Sequence, residues 1–265
     1  WLSPLRRAFS RRERIAVAAD LHCRVEVHPE LAPLLEGMSR AADVLCFCGD
    51  LTDHGRPEEA RLLARGLEAL APKPLLGVLG NHDYESDRCD DVRQILSGAG
   101  MRILAGDECV VDGVGFAGAK GFAGGFGQLA LEPWGERAIK DFVHEAVSES
   151  LLLENALARL RTSRKVVLLH YAPIAGTVAG EPAEILPFLG STRLEEPINR
   201  YRATAVFHGH AHHGSPAGST STGIPVYNVA MPLLQASAGI ANAFRILEVP
   251  SGDDPADRED GSSRL

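Results

Sequence analysis

Five short apolar runs, at residues 14–19, 44–48, 74–79, 165–169 and 204–207, each stop abruptly at an acid, a glycine or a histidine. The runs do not alternate polar with apolar, so they suit strands covered on both faces rather than strands with one wet side. The residues between them carry helical spacing. In 29–42, Leu31, Leu34, Leu35 and Met38 share one stripe. Segment 57–70 opens on Pro57, a residue favoured at the first helical position, and repeats Leu62, Leu63, Leu67 and Leu70. Segment 134–161 is the longest amphipathic stretch, with Ile139, Phe142, Val143, Ala146, Leu153, Leu157 and Leu160 at helical intervals. Strand and helix in alternation predict an α/β fold with much parallel pairing and helices on the sheet faces. Three later stretches read as hairpin-like strands: 108–117, turning at Asp112-Gly113, then 224–229 and 243–249.

Sheets of this kind gather ligands beyond the C-terminal ends of their strands, and the reactive side chains stand there. In order they are Asp20-x-His22, Gly49-Asp50-x-x-Asp53, Gly80-Asn81-His82-Asp83, His170 and Gly209-His210-x-His212. Each alone has an ordinary explanation: Gly-Asp as a turn, Asn-His-Asp as a helix cap. Together they set carboxylates, a carboxamide and imidazoles at successive strand ends, a donor mixture that suits Mn, Fe, Zn, Co or Ni better than Ca or Mg. Two such ions ~3.5–4 Å apart hold a hydroxide between them at neutral pH and offset charge on phosphoryl oxygens during in-line attack. Gly49, Gly80 and Gly209 each precede a candidate ligand, where the chain must turn sharply and pass close to the site.

A chain of 265 residues that is 45% hydrophobic can bury a large core. We expect one domain over 15–250, a basic arm over 1–14 with five Arg and one Glu, and a disordered acidic tail over 251–265. The net charge is −8, and setting both ends aside leaves −9 on the body, which offers no footprint for a nucleic-acid backbone. No stretch reaches the ~20 apolar residues of a membrane helix, and the first residues lack the apolar core of a secretory signal. The five cysteines are odd in number, and Cys46 and Cys48 alternate within an apolar run. They read as free thiols in a reducing cytoplasm. Nothing in the sequence signals an oligomeric state.

The ordered series of motifs resembles the calcineurin-like metallophosphoesterases, from about Ile15 to Val249. The resemblance implies a four-layer α/β/β/α sandwich with mixed sheets and a pair of bound metal ions. It implies Asp20, His22, Asp50 and His212 at one metal, and Asp50, Asn81, His170 and His210 at the other, with Asp50 shared. It also implies a catalytic His82 facing the substrate, its ring held by Asp53. His54 stands where the protein Ser/Thr phosphatases carry a phosphate-contacting Arg, and Asp83 ends a motif that there ends in Glu. Both departures point to the cyclic-nucleotide and general phosphodiesterase branch. The activity so implied is hydrolysis of a small phosphodiester or phosphomonoester, a cyclic nucleotide among the candidates, by attack of a metal-bridging hydroxide. The alternatives are a nuclease of the same superfamily and a non-catalytic scaffold.

Specificity is expected from two irregular stretches, 113–127 and 171–192. His54 and Lys120 are candidate substrate contacts, and Phe122 or Phe126 a surface on which a base could stack, against surface and plugging roles for the same residues. Cys23 reads as packing, and His208 and His213 as core or rim residues flanking the last motif.

Overall fold

The computed structural model describes residues 12–25 and 29–250. Its strands are β1 (Arg12–Ala18), β2 (Val44–Cys48), β3 (Leu75–Val78), β4 (Met101–Ile103), β5 (Asp107–Val111), β6 (Val114–Gly118), β7 (Arg164–Leu168), β8 (Ala205–His208), β9 (Ala217–Ser219), β10 (Pro225–Asn228) and β11 (Arg245–Pro250). The helices are α1 (Leu31–Ala41), α2 (Pro57–Glu68), α3 (Cys89–Gly98), α4 (Arg137–Arg159), α5 (Glu195–Arg200) and α6 (Met231–Ala238). One sheet has the order β11-β1-β2-β3-β4 and the other β5-β6-β7-β8-β10-β9. Within them β1 to β4 are parallel, as are β6, β7, β8 and β10, while β11, β5 and β9 are antiparallel edges.

Successive residues of each inner strand point to opposite faces, and here they enter two different cores. From β1 and β2, Ile15, Val17, Val44 and Cys46 meet Phe116, Val166, Leu168 and Phe207 of the second sheet. Ala16, Ala18, Leu45 and Phe47 pack instead against Leu34, Met38, Leu63, Leu67 and Leu96 of α1, α2 and α3. On the far side, Val167 and Val206 pack against Leu153, Leu157 and Ile198 of α4 and α5. Helices, sheet, sheet, helices give the expected α/β/β/α order, and the double burial explains why the strand sequences show no polar alternation.

Three details differ from the sequence reading. Strand β1 begins at Arg12, because Arg12 and Arg14 reach across to Glu248 of β11 at 3.5 and 3.6 Å; residues 1–11 of the basic arm and the tail 251–265 lie outside the described residues. Of the late strands, β5 and β6 do form the Asp112-Gly113 hairpin, but β10 lies parallel to β8 and β11 crosses to the other sheet beside β1. Val229 and Val249 both enter the core between the sheets, so burial rather than proximity in sequence sorts them. Helices α3, α5 and α6 were not anticipated: α3 and α5 are short and bury two residues each, Val92 and Leu96 on α3 and Pro197 and Ile198 on α5, and α6 is apolar nearly all round.

Candidate metal centre

Beyond the ends of β1 and β2 the chains stay paired. Asp20 N donates to Gly49 O and His22 N to Asp50 O, each at 3.0 Å, and Cys23 N donates to Leu51 O at 3.1 Å. Keeping that pairing while turning side chains toward the second sheet forces unusual backbone. Asp20 (φ 58), His22 (φ 43), Asp50 (φ 49) and His210 (φ 70) occupy the left-handed region, four of the seven non-glycine residues that do so among the described residues. Such conformations cost about 1–3 kcal/mol each and persist where the surroundings demand them. Gly80 and Gly209 answer the same crowding from the other side. A Cβ at Gly80 would collide with Asp50 and His170, and one at Gly209 with Asp20 and Ala19.

The structure brings the expected donors into overlapping groups whose atoms lie within 4.8 Å of one another: Asp20 with His22 and His212, and Asp50 with His170 and His210. Asp50 stands between the groups. Its Oδ1 lies 3.4 Å from His170 Nε2 and its Oδ2 3.8 Å from His22 Nε2. Asn81 Oδ1 lies 2.8 Å from His170 Nε2, on the His170 side. A third grouping joins His22, Asp50 and His82.

Three observations fit these side chains to metal ions. Both ring nitrogens of His22 are buried without a hydrogen-bond partner, a costly state that a cation bound at one of them would ease. His170 Nδ1–H donates to Cys48 O at 3.0 Å, which leaves the Nε2 lone pair facing the carbonyl oxygen of Asn81. Two acceptors so close call for a positive centre beside them, and fixing one ring nitrogen to a backbone carbonyl is how proteins present the other to a metal. His210 follows the same rule: Nε2–H donates to Phe188 O at 3.2 Å, so Nδ1 is the free donor.

The electrostatics agree. Burial pushes the imidazole of His22 down to about 4, and lowers His170 far and His210 less so, keeping these rings neutral as ligands must be. Burial, joined by the neighbouring Asp20 and Asp83, raises Asp50 well above the usual carboxylate range. Burial also acts to raise Asp20, but the His212 hydrogen bond and the surrounding imidazoles outweigh it and hold that carboxyl at about 2. Crowded acids of this kind are relieved by dications.

Several expected contacts are arranged differently. His82 Nδ1–H donates to the backbone carbonyl of Asp53 at 2.7 Å, not to its carboxylate. The Asp53 carboxylate instead takes Arg24 Nε at 2.9 Å and approaches His54 Nε2 at 3.2 Å. His54 is half-exposed at the rim, with Nδ1 3.1 Å from Glu85. Lys120 is turned inward: Nζ lies 3.4 Å from Glu149, donates to Gly121 O, and sits 4.8 Å from the Phe122 ring, so its charge is already engaged. Phe122 packs on Phe142 and Tyr171 in the core rather than presenting a face to a base. Cys23 is buried in the core beside α2, and burial pushes its thiol up to about 12. His208 is a core residue, with Nε2 2.8 Å from the Thr177 hydroxyl.

Three supporting residues were not among the expected site residues, although Asp83 stands in one of the motifs. Asp83 is fully buried and accepts from the backbone of Gly80, Leu51 and Thr52 and from the Thr52 hydroxyl, tying the β2 and β3 loops together. Asn228, buried at the end of β10, donates to Ala211 O at 2.7 Å and braces the last motif. Arg24 had no signal beyond its place next to Asp20-Leu21-His22-Cys23.

The fold and the clustered imidazole and carboxylate donors define a class, the metal-dependent phosphoric ester hydrolases. Residues 13–214 match the calcineurin-like phosphoesterase family, and the chain belongs to that family. It is 25% identical over 214 residues to a cAMP/cGMP dual specificity phosphodiesterase of Mycobacterium tuberculosis (strain CDC 1551 / Oshkosh); the match covers 78% of this chain and 60% of that protein's length. Among solved structures it resembles the phosphopantetheinyl hydrolase PptH of Mycobacterium tuberculosis, with TM-score 0.63 and 17% identity over 91% of this chain and 96% of that one. A Thermus thermophilus protein gives TM-score 0.55 and 15% identity over 90% and 98%. At these identities the two structures speak for the fold.

Proposed function

We propose that the protein is a binuclear metal-dependent phosphoesterase that hydrolyses a small phosphodiester or phosphomonoester. The observation that carries this reading is Asp50, whose two carboxylate oxygens each face a different group of imidazole donors. Asp20, His22 and His212 would hold one ion, Asn81, His170 and His210 the other, and Asp50 would serve both. When bound, such a pair activates a water for attack and offsets charge on the phosphoryl oxygens. The remaining chemistry belongs to the chain. His82 has Nδ1–H fixed on Asp53 O, so its Nε2 points to the donor cluster, 4.0 Å from Asp50 Oδ2, and delivers a proton to the leaving oxygen. His54, at the rim, contacts the ester beyond the phosphorus.

The acidic body supports a small substrate over a nucleic acid, and cyclic nucleotides belong in the test panel because the curated relative is named for them. The five free thiols suit a reducing compartment, the cytoplasm. No helix of the described residues is long and apolar enough to cross a membrane. The test is hydrolysis of bis-p-nitrophenyl phosphate, p-nitrophenyl phosphate and cyclic nucleotides by Mn²⁺-loaded protein. Asp50→Asn abolishes turnover, whereas His82→Gln lowers it about a hundred- to ten-thousand-fold and keeps the metals. Wild-type protein with two bound ions and no hydrolysis of any of these esters would sink the proposal.

A further inference from the structure

The two irregular stretches that flank the centre are stitched to each other. Gly124 N donates to Pro187 O at 2.8 Å, Gly125 N to Gly190 O at 2.9 Å and Thr192 N to Gly125 O at 3.1 Å. Between them lies a cavity of about 660 Å³ whose walls include Phe126, Leu131, Phe142, Val178, Leu186 and Phe188, the rest being glycine, alanine and proline. No lining side chain carries a charge or a hydrogen-bonding group. The contrast is with the polar cavity of about 420 Å³ on the other side of Asp53, walled by Arg24, His54, Arg56 and Glu59.

The apolar cavity shares a wall with the candidate centre. Phe188 lines it, and the carbonyl of the same residue accepts the hydrogen bond that orients His210. Val178, also in the lining, packs with Ala211 of the last motif, and its neighbour Thr177 holds His208. Phe188 is 57% exposed, so the cavity meets solvent at that residue. The volume lies within the range of small-molecule sites, which are concave and largely apolar.

We propose that this cavity binds an apolar group of the phosphoester substrate, an alkyl or aryl ester arm, beside the phosphorus held at the centre; this rests on the phosphoesterase reading above. A nucleoside is a poor occupant, since its base edges and sugar hydroxyls would be left without partners against these walls. An alkyl arm has nothing to leave unpaired. Each methylene that enters gains about fourfold in binding until the cavity is filled.

The experiment has a binding arm that needs no metal. Calorimetry on metal-free protein is expected to show 1-octanol binding about a hundredfold or more tighter than 1-butanol, and binding lost in Ala183→Trp. Ala183 is an exposed lining residue, so the indole plugs the cavity without entering the core; Leu186→Arg, which places a charge in the same wall, is the second variant should the first misfold. The kinetic arm follows methyl, butyl and octyl p-nitrophenyl phosphate diesters with Mn²⁺-loaded enzyme. KM falls along the series in wild type and stays flat in the variants, with kcat little changed. Failure of octanol to bind, while bis-p-nitrophenyl phosphate is still hydrolysed, overturns the cavity proposal and leaves the phosphoesterase reading intact. Octanol binding without any ester hydrolysis overturns the link to catalysis, and a preference for nucleotides over alkyl esters overturns the assigned chemistry.

Discussion

Replacing Asp83 with Asn exchanges one oxygen for an NH₂ group and should cost more than most core substitutions. Asp83 Oδ1 accepts from Thr52 N at 2.8 Å and Thr52 Oγ1 at 2.6 Å, while Oδ2 accepts from Gly80 N at 2.8 Å and Leu51 N at 3.2 Å. An amide keeps one of these oxygens and turns an NH₂ toward the other pair, so two buried donors, either the Gly80 and Leu51 amides or the Thr52 amide and hydroxyl, lose their acceptor. At about 1–3 kcal/mol for each orphaned donor, the expected loss is about 2–5 kcal/mol, which at this chain length lowers the Tm by about 5–15 °C. Burial raises the Asp83 carboxyl, so the ionised form is held at a cost that protonation relieves; wild type gains stability relative to the variant as pH is reduced, and the loss moves toward the upper end. The assay is urea and thermal unfolding of metal-free protein, paired with Mn²⁺ titration. Because Asp83 joins the loops that carry Asp50 and Asn81, metal affinity should fall too. A variant within about 0.5 kcal/mol of wild type would refute the claim that this carboxylate is the brace between the loops.

The buried His208 supplies a pH test. Its folded value is depressed to about 4 from 6.5, chiefly by burial, so the unfolded chain binds a proton that the fold refuses, and stability is present above pH 6.5 and lost as pH falls toward 4. At pH 5 the single group removes about 2 kcal/mol; in His208→Gln the unfolding free energy should drop less between pH 7 and pH 5, and parallel curves would contradict the assignment. In native protein a thiol reagent at pH 8 should modify Cys89 alone among the five cysteines, since the other four are buried and Cys23 is pushed up to about 12; rapid loss of Cys23 would show that the β1 loop opens. Gly209→Ala drives a methyl into Asp20 and should weaken metal binding about tenfold or more in a protein that still folds, read by calorimetry and far-ultraviolet dichroism.

The parallel strands and the donors at their ends were legible because each depends on local pattern. Val44–Cys48 is apolar at every position, and its burial on both faces follows from that alone. The crossing of β11 to β1 was not legible, since a strand of Arg245, Ile246, Leu247 and Val249 pairs equally well with either sheet until the cores are assembled. At the site, the motifs named the donors, but not which group of Asp53 holds His82. That choice is made by Arg24, which takes the carboxylate and leaves the carbonyl. The ion pair of Lys120 was hidden for a similar reason: its partner Glu149 lies on α4, 29 residues away in sequence, where no motif links the two. The apolar cavity is equally invisible in one dimension, because its walls come from two loops that meet only through backbone bonds.

The central claim is that one carboxylate serves two ions, and metal stoichiometry under titration tests it most directly. Wild-type protein dialysed free of metal and titrated with Mn²⁺ should take up close to two ions per chain. His212→Ala should lose one and His170→Ala the other, while Asp50→Asn weakens both together. If Asp50→Asn still binds two ions with unchanged affinity, or if wild type never takes more than one, Asp50 is not shared and the account of the centre is wrong.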